Sequence, residues 1–97
     1  MHISGRYAYV TSNSGNRVDA VDISNSDSLS LTGSVGGLNA PQKCWVSGRY
    51  VYVCDTGANL FRAVDVSNPA APLFSGSVSL TSPNNVFVAG RYAYVGA

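Results

Sequence analysis

Cys44 and Cys54 are the first residues to weigh for chemistry, because a thiol pair can close a disulfide, take a soft metal or sit reduced in a core. If residues 43–47 and 49–54 form a hairpin about Gly48-Arg49, Cys44 is expected opposite Cys54. A cross-strand disulfide is then one reading; two reduced, buried thiols and a metal site are the others. The counterparts of this pair at the repeat spacing are Val86 with Gly96 and Met1 with Thr11, so the fold does not call for a bridge. Zinc needs three or four ligands, and the sole histidine, His2, lies near the start. A Ser-His-Asp arrangement meets the same obstacle, and no G-x-S-x-G motif occurs. Val35-Gly36-Gly37-Leu38 lacks the lysine and following helix of a phosphate loop. A non-catalytic chain without metal or cofactor is the expectation.

Binding chemistry is the remaining option. Trp45 aligns with Phe87, and an aromatic there either fills a core or offers a platform for stacking a sugar. Asn13, Asn16, Asp55, Thr56 and Asn59 fall in turns, as do Asn39, Gln42, Asn84 and Asn85. These are candidate ligand-binding residues where loops converge on one face, and they are also ordinary turn formers. Asp22 and Asp65 are placed to accept N–H bonds from the Ser-Asn turns that follow them, or to serve a ligand. Arg6, Arg49 and Arg91 each follow a turn glycine, within reach of turn carbonyls or a neighbouring unit's carboxylate.

These residues recur, and the recurrence identifies the elements that position them. Gly5-Arg6-Tyr7 returns as Gly48-Arg49-Tyr50 and Gly90-Arg91-Tyr92, a period of 43 and then 42 residues. AVDISN at 20–25 returns as AVDVSN at 63–68, and Gly33-Ser34-Val35 as Gly76-Ser77-Val78. Within the second unit, runs at 43–47, 49–54, 60–66 and 73–79 read as strands, separated by Gly48, by DTGAN and by SNPAAP. In RYAYV, Tyr7 and Tyr9 face one side and Ala8 and Val10 the other, so both faces are apolar and both need cover. No ten-residue stretch has helical periodicity. Four-stranded antiparallel units of this length, in tandem and apolar on both faces, are blades of a β-propeller. A two-sheet sandwich fits the length but not the repetition.

The chain has 97 residues, 45% of them hydrophobic and only 11% charged, with a net charge of +1. That is apolar enough for a folded domain, and its scattered cations give nucleic acid or an anionic membrane little to bind. No apolar stretch approaches the ~20 residues that span a bilayer as a helix. The low charge and abundant Ser, Asn, Gly and Thr point toward an extracytoplasmic or cell-surface location.

The wording V-x-G-R-Y-x-Y-V, a polar turn, then A-V-D-V-S-N-P-A-A-P-L and G-S-V resembles the LVIVD repeat of bacterial and archaeal β-propeller proteins. Asp65-Val66-Ser67-Asn68-Pro69 carries its DVSNP signature, and Asp22-Ile23-Ser24-Asn25 a weaker copy. The resemblance implies a propeller with an interaction or surface role and carries over no catalytic residue.

The expected fold is therefore all-β: a single partial propeller over 1–97, with blade segments 1–40, 41–82 and 83–97 and about two and a quarter blades per chain. Rings close with four to eight blades, so the missing ones must come from elsewhere. Two tyrosines and their aliphatic neighbours on one bare blade face represent ~400 Å², or about 10 kcal/mol of forgone burial. Whole-domain stability is only ~5–15 kcal/mol. The expectation is a ring completed by other copies of the chain, three giving six blades, in a binding or scaffold role toward a protein or glycan. The alternative is a fragment of a longer cell-surface propeller with a carbohydrate-binding or enzymatic site between blades.

Overall fold

A computed structural model of the chain describes residues 2–12, 14–24, 27–68 and 70–96. Its strands are β1 (His2–Ser4), β2 (Tyr7–Ser12), β3 (Arg17–Asp22), β4 (Ser30–Val35), β5 (Cys44–Ser47), β6 (Tyr50–Asp55), β7 (Leu60–Asp65), β8 (Leu73–Ser79), β9 (Asn85–Ala89) and β10 (Tyr92–Gly96). A 3-10 turn, Thr56–Ala58, stands between β6 and β7. β1 to β4 form one antiparallel sheet in sequence order and β5 to β8 a second; β9 and β10 pair as a hairpin. The first two are complete propeller blades, and the hairpin supplies the first two strands of another.

Turn chemistry fixes the strand ends. Gly5, Gly48 and Gly90 take φ of 59, 61 and 59°, and the arginine after each does not share the positive φ. That is the arrangement of a type II′ turn, open to glycine at its first central position. Because this turn has two residues, Ser47 faces Tyr50 and Cys44 faces Val53. The expected pairing of Cys44 with Cys54 is thus corrected by one residue. Val86 likewise faces Val95 rather than Gly96, and Met1 lies outside the described residues. A one-residue shift moves a side chain to the other face, so the two cysteines point to opposite sides of their sheet.

Each blade has a tyrosine face and a valine face. In the first blade, Tyr7, Tyr9, Val18 and Ala20 share one side, as the pairings of Tyr7 with Asp22 and Tyr9 with Ala20 require. In the second, Cys44, Val46, Val51, Val53 and Val64 share the opposite side. These two faces meet, and together with Leu38 and Val66 they form one buried cluster. The core therefore lies between blades. Neither sheet has an interior of its own, which is why both faces of every strand read as apolar. A β-bulge recurs between Ala20 and Val21 and between Ala63 and Val64, so even the irregularity follows the repeat.

Candidate functional site

Asn16, Asn39, Asp55, Thr56 and Asn59, singled out by sequence, lie at one end of the blades, where they tie loops to the linkers between blades. Asn16 and Asn59 occupy the same repeat position in the left-handed conformation, with φ of 55 and 56°. Asn16 accepts the Leu38 N–H with its carbonyl at 3.2 Å and the Ala40 N–H with Oδ1 at 3.0 Å. Asn59 does the same for Leu80 at 3.1 Å and Ser82 at 3.0 Å. Each asparagine thus ties a loop within a blade to the linker leaving that blade. Asparagine suits the task because it tolerates positive φ and carries an amide oxygen.

Asp55 is fully buried, and its Oδ1 accepts the Asn39 N–H at 2.7 Å. Arg62 Nε lies 2.9 Å from Asp55 Oδ2, close enough for ion pairing but without hydrogen-bond alignment. The Arg62 guanidinium lies over the Phe74 ring, 4.8 Å from its centre. Thr56 donates its hydroxyl to Pro83 O at 2.5 Å. The Gly57 N–H reaches Asn39 O at 2.8 Å, and a Cβ at Gly57 would stand 2.6 Å from that oxygen. Asp55, Thr56 and Asn39 therefore pin the 3-10 turn to the linkers before and after the second blade.

Other candidates are dispersed. Gln42 receives the Thr11 hydroxyl on its carbonyl at 3.2 Å, and its N–H reaches Cys54 O at 3.1 Å. Asn84 donates its backbone N–H to Gly96 O at 2.9 Å, and Asn85 Oδ1 accepts the Val86 N–H at 3.0 Å. Both are exposed. Asn13 lies outside the described residues. An open depression of about 330 Å³ beside Asn59 is lined by Ala58, Leu60, Ser79, Leu80 and Thr81.

Trp45 stacks on His2, with centroids 4.4 Å apart at 23°, and meets Phe87 edge-on at 5.0 Å. One of its ring faces is covered, which favours a place between blades over a sugar platform. His2 was missed as a member of this row. Its signal was the repeat spacing itself, since His2, Trp45 and Phe87 are separated by 43 and 42 residues. His2 Nδ1 also accepts the Val46 N–H at 2.7 Å, joining the innermost strands of two blades.

Cys44 and Cys54 are free and buried. Cys44 Sγ donates to Tyr9 O at 3.3 Å. Burial pushes both thiols away from ionisation, Cys54 up to about 11 with the Cys44 charge contributing. Among the described residues, no three His, Cys, Asp or Glu side chains come together as metal ligands.

Arg6 Nη2 lies 2.6 Å from Asp22 Oδ2, and Arg49 Nη2 lies 2.8 Å from Asp65 Oδ2. Each pair is within one blade, which corrects the expectation that these arginines reach turn carbonyls or a neighbouring blade's carboxylate. The other oxygen of each carboxylate accepts the backbone N–H two residues on, from Ser24 and Ser67, at 2.9 Å. The Arg49 hydrogen bond, with those from Ser67, holds Asp65 down at about 2. Asp22 is lowered in the same way, first by Arg6 and then by Ser24.

The family model of the LVIVD repeat matches this chain over residues 1–36, 40–80 and 82–97. No curated protein and no solved structure matches it.

Proposed function

The chain belongs to the LVIVD-repeat family, and from that premise we propose that it is a non-catalytic β-propeller binding or scaffold module that assembles with copies of itself into a closed ring. One observation carries the reading: the faces left bare are a matched pair. Tyr92 and Tyr94 on the hairpin are 59% and 62% exposed, whereas Tyr9, the counterpart of Tyr94, is 4% exposed against the second blade, and Tyr7, the counterpart of Tyr92, is half-buried. Ile3, Val10, Val21 and Ile23 on the first blade take the repeat positions of Val46, Val53, Val64 and Val66, which cover that tyrosine face within the chain. A tyrosine face of one copy fits the valine face of the next, head to tail, and such heterologous contacts close into rings. Three copies give about six blades. The engagement of Asp55, Thr56, Asn16 and Asn59 in the seam supports a scaffold role over catalysis. The low charge supports an extracytoplasmic setting.

Light scattering tests the assembly: a mass near three chains is expected, and a stable, folded single chain would overturn it. The alternative is a longer surface propeller with a carbohydrate or enzymatic site between blades, and the open depression beside Asn59 is where such a site would form. Binding of a defined sugar on a glycan array, lost on Trp45→Ala or Asn59→Ala in protein that stays folded, would favour that alternative.

A further inference from the structure

Residues 5–10 and 90–95 are the same six residues, GRYAYV, so β2 and β10 are chemically one strand written twice. Their surroundings differ. β2 pairs with β1 on one side and β3 on the other, whereas β10 pairs with β9 alone among the described strands. Arg6 has Asp22 and Arg49 has Asp65, but Arg91 makes no ion pair with a described residue and lies only against its neighbour Tyr92. The Arg6 and Arg49 carbonyls accept the N–H of Ile23 and Val66, each at 2.7 Å, and among the described residues no such bond reaches Arg91. The open edge of β10 thus specifies its partner: an antiparallel strand with an aspartate opposite Tyr92, as Asp22 stands opposite Tyr7 and Asp65 opposite Tyr50.

We propose that the β9–β10 hairpin of one copy pairs with β3 of a second copy and displaces that copy's β1–β2 hairpin. Each junction blade is then a hybrid of β9–β10 from one chain and β3–β4 from the next. This rests on the assembly of copies proposed above and replaces its face-to-face contact by a shared blade, in which Tyr92 and Tyr94 take the slots of Tyr7 and Tyr9 against Val46, Val51 and Val53 of the second copy. On the β3 side the same residues replace one another over the four pairs from Tyr7 to Val10, and Gly96 stands in for Thr11. On the inner side β9 faces β10 over five pairs, and β1 faces β2 over three among the described residues. Phe87 takes the ring position of His2 beside Trp45, and the bonds given up are those from the Val46 N–H to His2 Nδ1 and from the Thr11 hydroxyl to Gln42 O. β3 to β10 make eight strands, so every copy contributes two whole blades and the duplicated strand no longer conflicts with itself.

Charge reversal on the full chain tests the contact. In R91D, the carboxylate introduced at position 91 would face Asp22 of the second copy. In the double variant R6D/D22R the pair within the chain is kept with reversed sign, and Arg91 would face the guanidinium introduced at position 22. Each variant alone is expected to associate about tenfold more weakly per junction than the parent chain. The triple variant R6D/D22R/R91D keeps the reversed pair within the chain, places opposite charges at every junction of a ring of any size and should recover the parent mass by light scattering. Residue 91 sits in an exposed turn, so R91D should keep the parent circular dichroism, and it decides alone if the double variant does not fold. R91D assembling like the parent, or a triple variant R6D/D22R/R91D no larger than R91D, would overturn the exchange while leaving assembly standing. A parent chain that stays monomeric would overturn both.

Discussion

Asn59 Oδ1 accepts the backbone N–H of Ser82 at 3.0 Å, so a side chain in the middle of the second blade holds the linker that leaves it. Asn59 sits at φ 56°, so replacing it removes a hydrogen bond and, for any residue with a bare Cβ, adds backbone strain. Asn59→Ala should cost about 1–3 kcal/mol in urea unfolding, and Asn59→Gly less, because glycine accepts positive φ freely. Equal losses for the two variants would show that the conformation plays no part.

The acid side of the stability profile should carry the Arg–Asp pairs. Asp22 and Asp65 have folded pKa values below the ordinary unfolded value of about 4. Depressed carboxylates stabilise the fold fully above the unfolded pKa, and that contribution disappears as pH falls through the folded one. For Asp65 the loss should run from about pH 4 to about 2, shown by urea midpoints across that window. Arg49→Ala should flatten the slope, as should high salt, since both arginines are well exposed.

Thiol reagents should report burial directly. Cys44 and Cys54 are buried, and burial disfavours their thiolates. At about pH 8 both should react slowly in the folded protein and rapidly once denaturant is added. They face opposite sides of one sheet, so oxidation should not join them within a chain. A disulfide between them in folded protein, seen by mass spectrometry, would contradict the register of β5 and β6.

Gly57 and Gly76 make a controlled comparison. A Cβ at Gly57 would stand 2.6 Å from Asn39 O, while one at Gly76 meets nothing within 4 Å. Gly57→Ala should therefore destabilise by about 1–3 kcal/mol through displacement of the linker. Gly76→Ala should fall within about 0.5 kcal/mol of the parent. Thermal melts of the two variants would check the difference.

The architecture was legible because the landmarks repeat: four strand-like runs, a Gly-Arg turn and an A-V-D stretch define a blade wherever they appear. Register was less legible. A glycine marks a turn without saying how many residues it contains, and that one-residue ambiguity produced the expected Cys44–Cys54 pairing. The loop residues misled in another way. Asn16 and Asn59 have the composition of a ligand site, but composition does not reveal that Ala40 and Ser82 N–H groups already fill their amide oxygens. The Asp55–Arg62 contact had no signal at all, because the first blade carries Ser12 and Asp19 at those positions and the repeat gives no second copy to compare.

The buried cluster draws on both blades and on neither alone, and that fixes the cooperative unit of folding. A single four-stranded blade would have its hydrogen-bond ladder without a dehydrated interior, because one repeat cannot bury its apolar faces alone. The minimal folding unit is thus a pair of blades, with stability residing in nearest-neighbour coupling rather than in the individual repeat. In amide hydrogen exchange, β3, β6 and β7, drawn from both blades, should open together as the slowest unit.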